Sequence, residues 1–230
     1  MTRSMLSAIA LAAGGFAFAA PTATEVRELD AFDEVVWEAA GELLIEQSLR
    51  QRLSIEAEPA VLAKIVAEVR ERRLRIGFAP GSIQTRHPIR FRLETRQLLA
   101  LETRGSGSVR IAALSTPRLS LTLSGSGDLQ LAQLSARSFE VRLAGSGNVA
   151  VGGGQVDSQR VVIDGSGSYA ALRLASRDAE VSIGGSGVVR VAASERLKAG
   201  IAGSGELLYR GQPQIAQSIT GAGSVRPANE

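Results

Sequence analysis

Three aspartates, Asp157, Asp164 and Asp178, are interleaved with Arg160, Arg173 and Arg177. Two carboxylates at a suitable separation hydrolyse a glycosidic bond, one as acid and the other as base or nucleophile, and an arginine beside them would suit a polysaccharide lyase. Either chemistry requires the aspartates to converge in one groove. Their positions in the repeat described below fall in different columns, which favours solvated surface decoration. His87 is the sole histidine, so a histidine triad or a multi-histidine metal site is excluded. It precedes Pro88 in a stretch of linker composition, where a plain surface role is expected. The chain has no cysteine, which removes disulfides, thiolate catalysis, zinc–cysteine sites and a lipid-modified cysteine. No catalytic residue, metal or cofactor is expected.

The tripeptide Gly-Ser-Gly recurs and imitates several motifs. A dinucleotide fingerprint needs a further glycine three residues on, and a Walker loop needs Gly-Lys followed by Ser or Thr. Neither is present. A hydrolase elbow needs glycines two before and two after the serine, which no copy supplies. The residue after each copy is Ser108, Asp128, Asn148, Ser168, Val188, Glu206 or, after the Gly-Ala-Gly variant, Ser224, which is not a calcium-ligand column. Trp37, Tyr169 and Tyr209 could stack on sugars. The two tyrosines occupy inward positions of the repeat, so core filling is expected there, and Trp37 is expected in a capping core.

The spacing explains the tripeptide. Its copies begin at Gly105, Gly125, Gly145, Gly165, Gly185 and Gly203, and the variant begins at Gly221, with intervals of twenty and then eighteen residues. A fixed period of this size marks a repeat architecture. Within each repeat the apolar residues alternate: Val109, Leu129, Val149, Tyr169, Val189, Leu207 and Val225 at the fifth position, and Leu121, Val141, Val161, Val181 and Ile201 at the seventeenth. Period two means strands. The fold class predicted is all-β, a parallel β-helix of coils of about twenty residues carrying two short strands each. The glycines would be structural corners, taking positive φ or close backbone approach. They are Gly105, Gly107, Gly125, Gly127, Gly145, Gly147, Gly165, Gly167, Gly185, Gly187, Gly203, Gly205, Gly221 and Gly223. The serines from Ser106 to Ser204 would form an outward hydroxyl ladder.

Residues 25–100 lack the tripeptide but keep strand-like alternation in ELDAFDEVVWEA, GELLIEQS, RLSIEAE and RLRIGFA. Glu58-Pro59 resembles a helix start, and Leu62, Ile65, Val66 and Val69 fall on one helical face. A short amphipathic helix is predicted there as part of an N-terminal cap. The expected organisation is residues 1–19 as a signal peptide and 20–230 as one β-helical domain. Within it, 20–80 are irregular coils and cap, 81–90 a connecting loop, 91–226 regular coils, and 227–230 a frayed tail where Pro227 stops pairing.

The signal peptide rests on Arg3, an apolar run from Leu6 to Phe18 too short to span a bilayer, and the small-x-small stretch Ala17-Phe18-Ala19, which places the cut before Ala20. An exported protein without disulfides fits the bacterial periplasm or cell surface. The 26 basic and 23 acidic residues are spread along the chain, so no nucleic-acid footprint is expected. After cleavage no membrane span is expected.

FDEVVWEAAGELLIEQ (32–47), LSIEAEPAVLAKIVAEV (53–69) and the glycine-restarting coils up to Gly221 together resemble the bacterial family called putative auto-transporter adhesin head, GIN domain. The resemblance covers roughly residues 25 to 225. It implies an exported, β-helix-like adhesin head and brings no agreed catalytic or binding residues. The chain shows no C-terminal membrane barrel, so self-secretion is not expected. The function expected is a non-enzymatic binding or structural module that presents a repetitive polar surface to a glycan or an envelope protein, with a homo-oligomer through the C-terminal edge as a further expectation. The alternative is a polysaccharide-active β-helix enzyme, a lyase or glycoside hydrolase.

Overall fold

A computed structural model describes residues 22–228, so the expected signal peptide, its cut before Ala20 and the last two residues lie outside the described residues. The chain runs β1 (Ala23–Glu28), β2 (Glu34–Trp37), β3 (Glu42–Gln47), β4 (Arg52–Ala57), α1 (Pro59–Leu62), β5 (Ile65–Arg70) and β6 (Arg73–Phe78). Then follow β7 (Arg90–Thr95), β8 (Ala100–Gly105), β9 (Ser108–Ser115), β10 (Arg118–Gly125), β11 (Asp128–Gly145), β12 (Asn148–Val151) and β13 (Gly154–Gly165). The last are β14 (Ser168–Ala171), β15 (Leu174–Gly185), β16 (Val188–Ala192), β17 (Arg196–Gly203), β18 (Glu206–Arg210), β19 (Gln214–Gly221) and β20 (Ser224–Pro227).

From β8 onward the coils stack in parallel with no slip. Gly125 pairs with Gly105 and Gly145, and Gly165 pairs with Gly145 and Gly185. Each apolar residue therefore lies above its copy. Leu121, Val141, Val161 and Val181 form one such column, each at most 1% exposed, and burying an aliphatic side chain this fully contributes about 1.5–3 kcal/mol. The sequence reading of two strands per coil misses a third, short side. Inward parity breaks after Leu131 and resumes at Leu134, and Leu134 pairs with Gly154 as Gly154 pairs with Leu174. Two residues are dropped between β16 and β17, since Val191 pairs with Ala171 twenty back while Arg196 pairs with Asp178 eighteen back.

The glycine corners follow from this stacking. Gly145 has φ +126°, and a Cβ there would lie 2.5 Å from the carbonyl oxygen of Gly125 in the coil beneath. Gly147 lacks the positive φ, but its Cβ would meet the Gly127 carbonyl oxygen at the same 2.5 Å. One glycine is required by conformation and contact, the other by contact alone. The intervening serines are all exposed, and the Ser146 and Ser166 hydroxyls lie 3.2 Å apart.

The N-terminal part departs from chain order. The coil formed by β2 and β3 is inserted between later segments: β2 lies between β6 and β8, and β3 between β7 and β9, all parallel. Antiparallel strands close this end, with β5 on β6, β4 on β7 and β1 on β4. The expected amphipathic helix is corrected. α1 is a single turn, and Ile65, Val66 and Val69 belong to β5. Ile65 and Val69 share a face in either conformation, so the spacing did not discriminate. Their β-branched side chains fit a strand, and β6 offers an antiparallel partner across Glu71 and Arg72, both at positive φ. At the far end Pro227 does not stop pairing, because the Ala228 amide still donates to the Tyr209 carbonyl at 2.8 Å.

The connection between β6 and β7 is tied by the Lys64 ammonium, which donates to the Ser82 carbonyl at 2.9 Å, and further on by one carboxylate. Glu58 makes no capping hydrogen bond to α1. It accepts instead from the Arg86 amide at 2.7 Å, the His87 amide at 3.1 Å and the Thr85 hydroxyl at 3.2 Å. These donors, the Arg86 amide foremost, hold its carboxyl below the ordinary carboxylate range. A depressed folded pKa means that the tether is complete above the unfolded value and is lost as pH falls through the folded one. Glu58→Ala should raise trypsin cleavage after Arg86 several-fold at neutral pH. In the unaltered chain, the Arg86 and His87 amides should keep their protection from exchange, relative to the intrinsic rate, down through the ordinary carboxylate range and lose it only below that range. Unchanged cleavage in the variant would remove Glu58 from this role.

Candidate binding grooves

The three aspartates do not gather in one groove: Asp178 borders one, Asp157 another and Asp164 neither, although the register sets Asp157 and Asp178 one step apart on neighbouring coils. Asp157 and Asp164 sit at opposite ends of β13, seven residues and so roughly 23 Å apart along one strand. Asp178 lies across from Ser158, and its carboxylate is gripped by the Arg196 guanidinium at 2.6 and 2.7 Å. That contact, made first through the hydrogen bonds, lowers the Asp178 pKa, the wrong direction for a general acid. Arg160 is turned to Glu180 at 2.6 Å, and Arg177 to Glu195 at 2.9 Å. His87 is engaged through its backbone as described. Trp37 is fully buried, edge-on to Phe91 at 4.8 Å between ring centroids, and Tyr169 is equally buried. Tyr209 packs partly against the core. None of the three rings is a free stacking platform.

Several open grooves indent the outer sheet faces, and two of them are rich in arginine. The larger, about 540 Å³, has Ser138 and Ser158 on its floor. Its walls carry Arg160 and Lys198 on Glu180, and Arg196 on Asp178. These opposite charges neutralise one another from coil to coil, leaving Arg118 without a carboxylate within 4 Å among the described residues.

The other groove, about 320 Å³, lies on the face built by β1, β4, β7, β3 and β9. Strand register dictates its layout. One row reads Thr24, Glu56, Arg90, Glu42 and Ser108, and the next reads Val26, Ser54, Arg92, Leu44 and Arg110. Leu44 therefore has an arginine on each side, at the ~4.8 Å strand spacing. Arg92 is committed to Glu46 at 2.6 Å. Arg90 approaches Glu56 only to 3.6 Å and Arg110 approaches Glu42 only to 4.0 Å, and both arginine side chains are more than half exposed. Two guanidinium forks are thus only loosely engaged and exposed, able to turn to an anionic group above a small apolar and hydroxylic floor. Sequence reading passed over these residues because they come from segments 42–44, 90–92 and 108–110, which only the inserted coil brings together. The alternation in RFRLET was the available signal.

Residues 31–213 match the family described as "Putative auto-transporter adhesin, head GIN domain". The chain belongs to this family. No curated protein matches it. Among solved structures, a protein of Parabacteroides distasonis named a putative lipid binding protein is 27% identical, with a TM-score of 0.71 over 90% of this chain and 97% of that one. A putative adhesin of Bacteroides fragilis is 22% identical, with a TM-score of 0.84 over the same shares. The latter likeness is one of fold alone. Among the described residues of this GIN-domain protein, no helix is long and apolar enough to cross a membrane, and no cluster of His, Cys, Asp or Glu could hold a metal ion.

Proposed function

We propose that this GIN-domain protein is an exported, non-enzymatic adhesin-like module of the bacterial envelope, and that it binds saccharides carrying acidic groups through the Leu44 groove. The observation that carries the reading is the pair of loosely engaged guanidinium groups, Arg110 beside Leu44 and Arg90 in the neighbouring row, lining one groove of the sheet face. A guanidinium fork matches a carboxylate in two parallel hydrogen bonds, and the Leu44 side chain offers an apolar patch to the face of a sugar ring. The rigid scaffold limits the ordering cost of binding. The interior is filled by side chains, so a ligand would meet the outer surface rather than an enclosed cavity.

The test passes the chain from Ala20 onward over immobilised polyuronate and over a neutral glucan, with the wash examined for released fragments. Retention on polyuronate alone is expected, with no fragments, and Arg90→Ala with Arg110→Ala should weaken it by about tenfold or more. Both side chains are exposed, so the fold should survive, which a thermal melt checks. Equal retention on the neutral glucan, or by the doubly substituted chain, would overturn the assignment. So would binding to anionic vesicles without binding to polyuronate. Released fragments would restore the enzyme reading.

A further inference from the structure

Among the described residues four strands have an unpaired edge, and three of them are blunted. β1 carries Glu25, Arg27 and Glu28, and β5 carries Glu68 and Arg70. β5 is also covered at its start by Arg27, which donates to the Ile65 carbonyl at 2.9 Å. β20 carries Arg226 and ends on Pro227. Charge and proline are the ordinary means of keeping strand edges apart. β19, with sequence QIAQSITG, has neither, is exposed along its whole length, and pairs on one side only, with β17. The Gln214 amide donates to Glu195 and the Ala222 amide to Gly203 in the coil beneath. In a parallel ladder alternate residues bond to opposite neighbours, so the amides and carbonyls of Ile215, Gln217 and Ile219 face outward along the solenoid axis. Their side chains continue the inward columns above Leu197, Ala199 and Ile201. Ile215 and Ile219 are 41% and 37% exposed, where the equivalent Leu197 and Ile201 are at most 2%.

We propose that β19 is a homodimer interface, pairing antiparallel with β19 of a second copy about a two-fold axis through Gln217. The sequence is self-complementary in that register. Ile215 faces the partner's Ile219, Ala216 faces the partner's Ser218, and the two Gln217 amides face each other, able to donate and accept reciprocally. A two-fold axis perpendicular to the strand and pointing into the tube keeps inward side chains inward on both copies. Each open core end then closes on the other. The charged edges at the opposite end make a head-to-tail fibre the poorer partner, so association is isologous and closed. This proposal is independent of the Leu44 groove, which lies on the capped half of the molecule.

The decisive measurement is sedimentation of the chain from Ala20 onward across a wide concentration range. A monomer–dimer equilibrium is expected. Gln217→Glu and Gln217→Lys each set like charges directly opposed across the axis and should raise the dissociation constant about tenfold or more. An equimolar mixture of the two variants should restore the dimer as a heterodimer. Unaltered thermal melts of the dilute variants would confirm that the fold is kept. A chain that stays monomeric at every concentration overturns the proposal. So do single variants that dimerise as well as the parent, or a mixture that fails to pair.

Discussion

Gly145→Ala should destabilise the chain by about 3–5 kcal/mol, while the same change at Gly105 should cost only about 1–3 kcal/mol. Both glycines hold a positive φ, +126° and +109°, and alanine loses the same backbone freedom at either. What differs is the coil beneath. The Gly145 Cβ would lie 2.5 Å from the Gly125 carbonyl oxygen, whereas nothing lies within 4 Å of a Cβ at Gly105. The colliding atom is backbone held in the parallel ladder, so relief requires the coils to separate and the flanking Val141 and Val149 columns to open. Urea unfolding of the two variants would measure the difference. Equal losses would mean that conformation alone, and not coil contact, places glycine at these corners.

Tyr169→Phe should cost about 1–3 kcal/mol although it removes a single oxygen. Tyr169 fills the fifth-position column, fully buried, and its hydroxyl donates to the Gln159 side-chain oxygen at 3.0 Å. The Gln159 amide donates to the Ser176 hydroxyl at 2.8 Å and to the Ala192 carbonyl at 3.0 Å, and Ser176 donates to that same carbonyl at 2.6 Å. Burial pushes the phenol pKa far up, so Tyr169 remains a donor through the alkaline range. Phenylalanine would leave the Gln159 oxygen buried without a donor. Gln159→Leu, which restores an aliphatic residue to its column, would instead orphan the phenol. The double variant should therefore be less destabilised than the two losses summed, with a coupling of about 1–2 kcal/mol. Additive losses in the four-chain comparison would show that the network is not one unit.

The regular coils were legible because the glycine corner and the fifth position recur seven times and the seventeenth position five times, and Gly-Ser-Gly fixes the register without any knowledge of the fold. The short third side was hidden because its columns are chemically mixed. Leu114, Leu134, Gly154 and Leu174 occupy one position, and Thr116, Ala136, Val156 and Ser176 another. At the other end, Leu62, Ile65, Val66 and Val69 satisfy helix and strand spacing together, and the turn that decides for the strand is made by Glu71 and Arg72 without a glycine or asparagine to announce it. The Leu44 groove was illegible for a topological reason. Its arginines become neighbours only when residues 34–47 enter the stack between segments that follow them in the chain.

That insertion sets an order of assembly. A chain emerging N-terminus first presents β2 and β3 when neither of their neighbours exists, and the last of those, β9, ends at Ser115. β2 meets its first neighbour only with β6, which ends at Phe78, and β3 with β7, which ends at Thr95, and the pair is flanked on both sides only when β9 has been delivered. From β10 onward each new coil finds a finished template already in place and can add without delay. Loss of the last coil should thus shorten the tube by one step. Loss of residues 34–47 would take a plank from its middle, and the two halves could not simply close the gap.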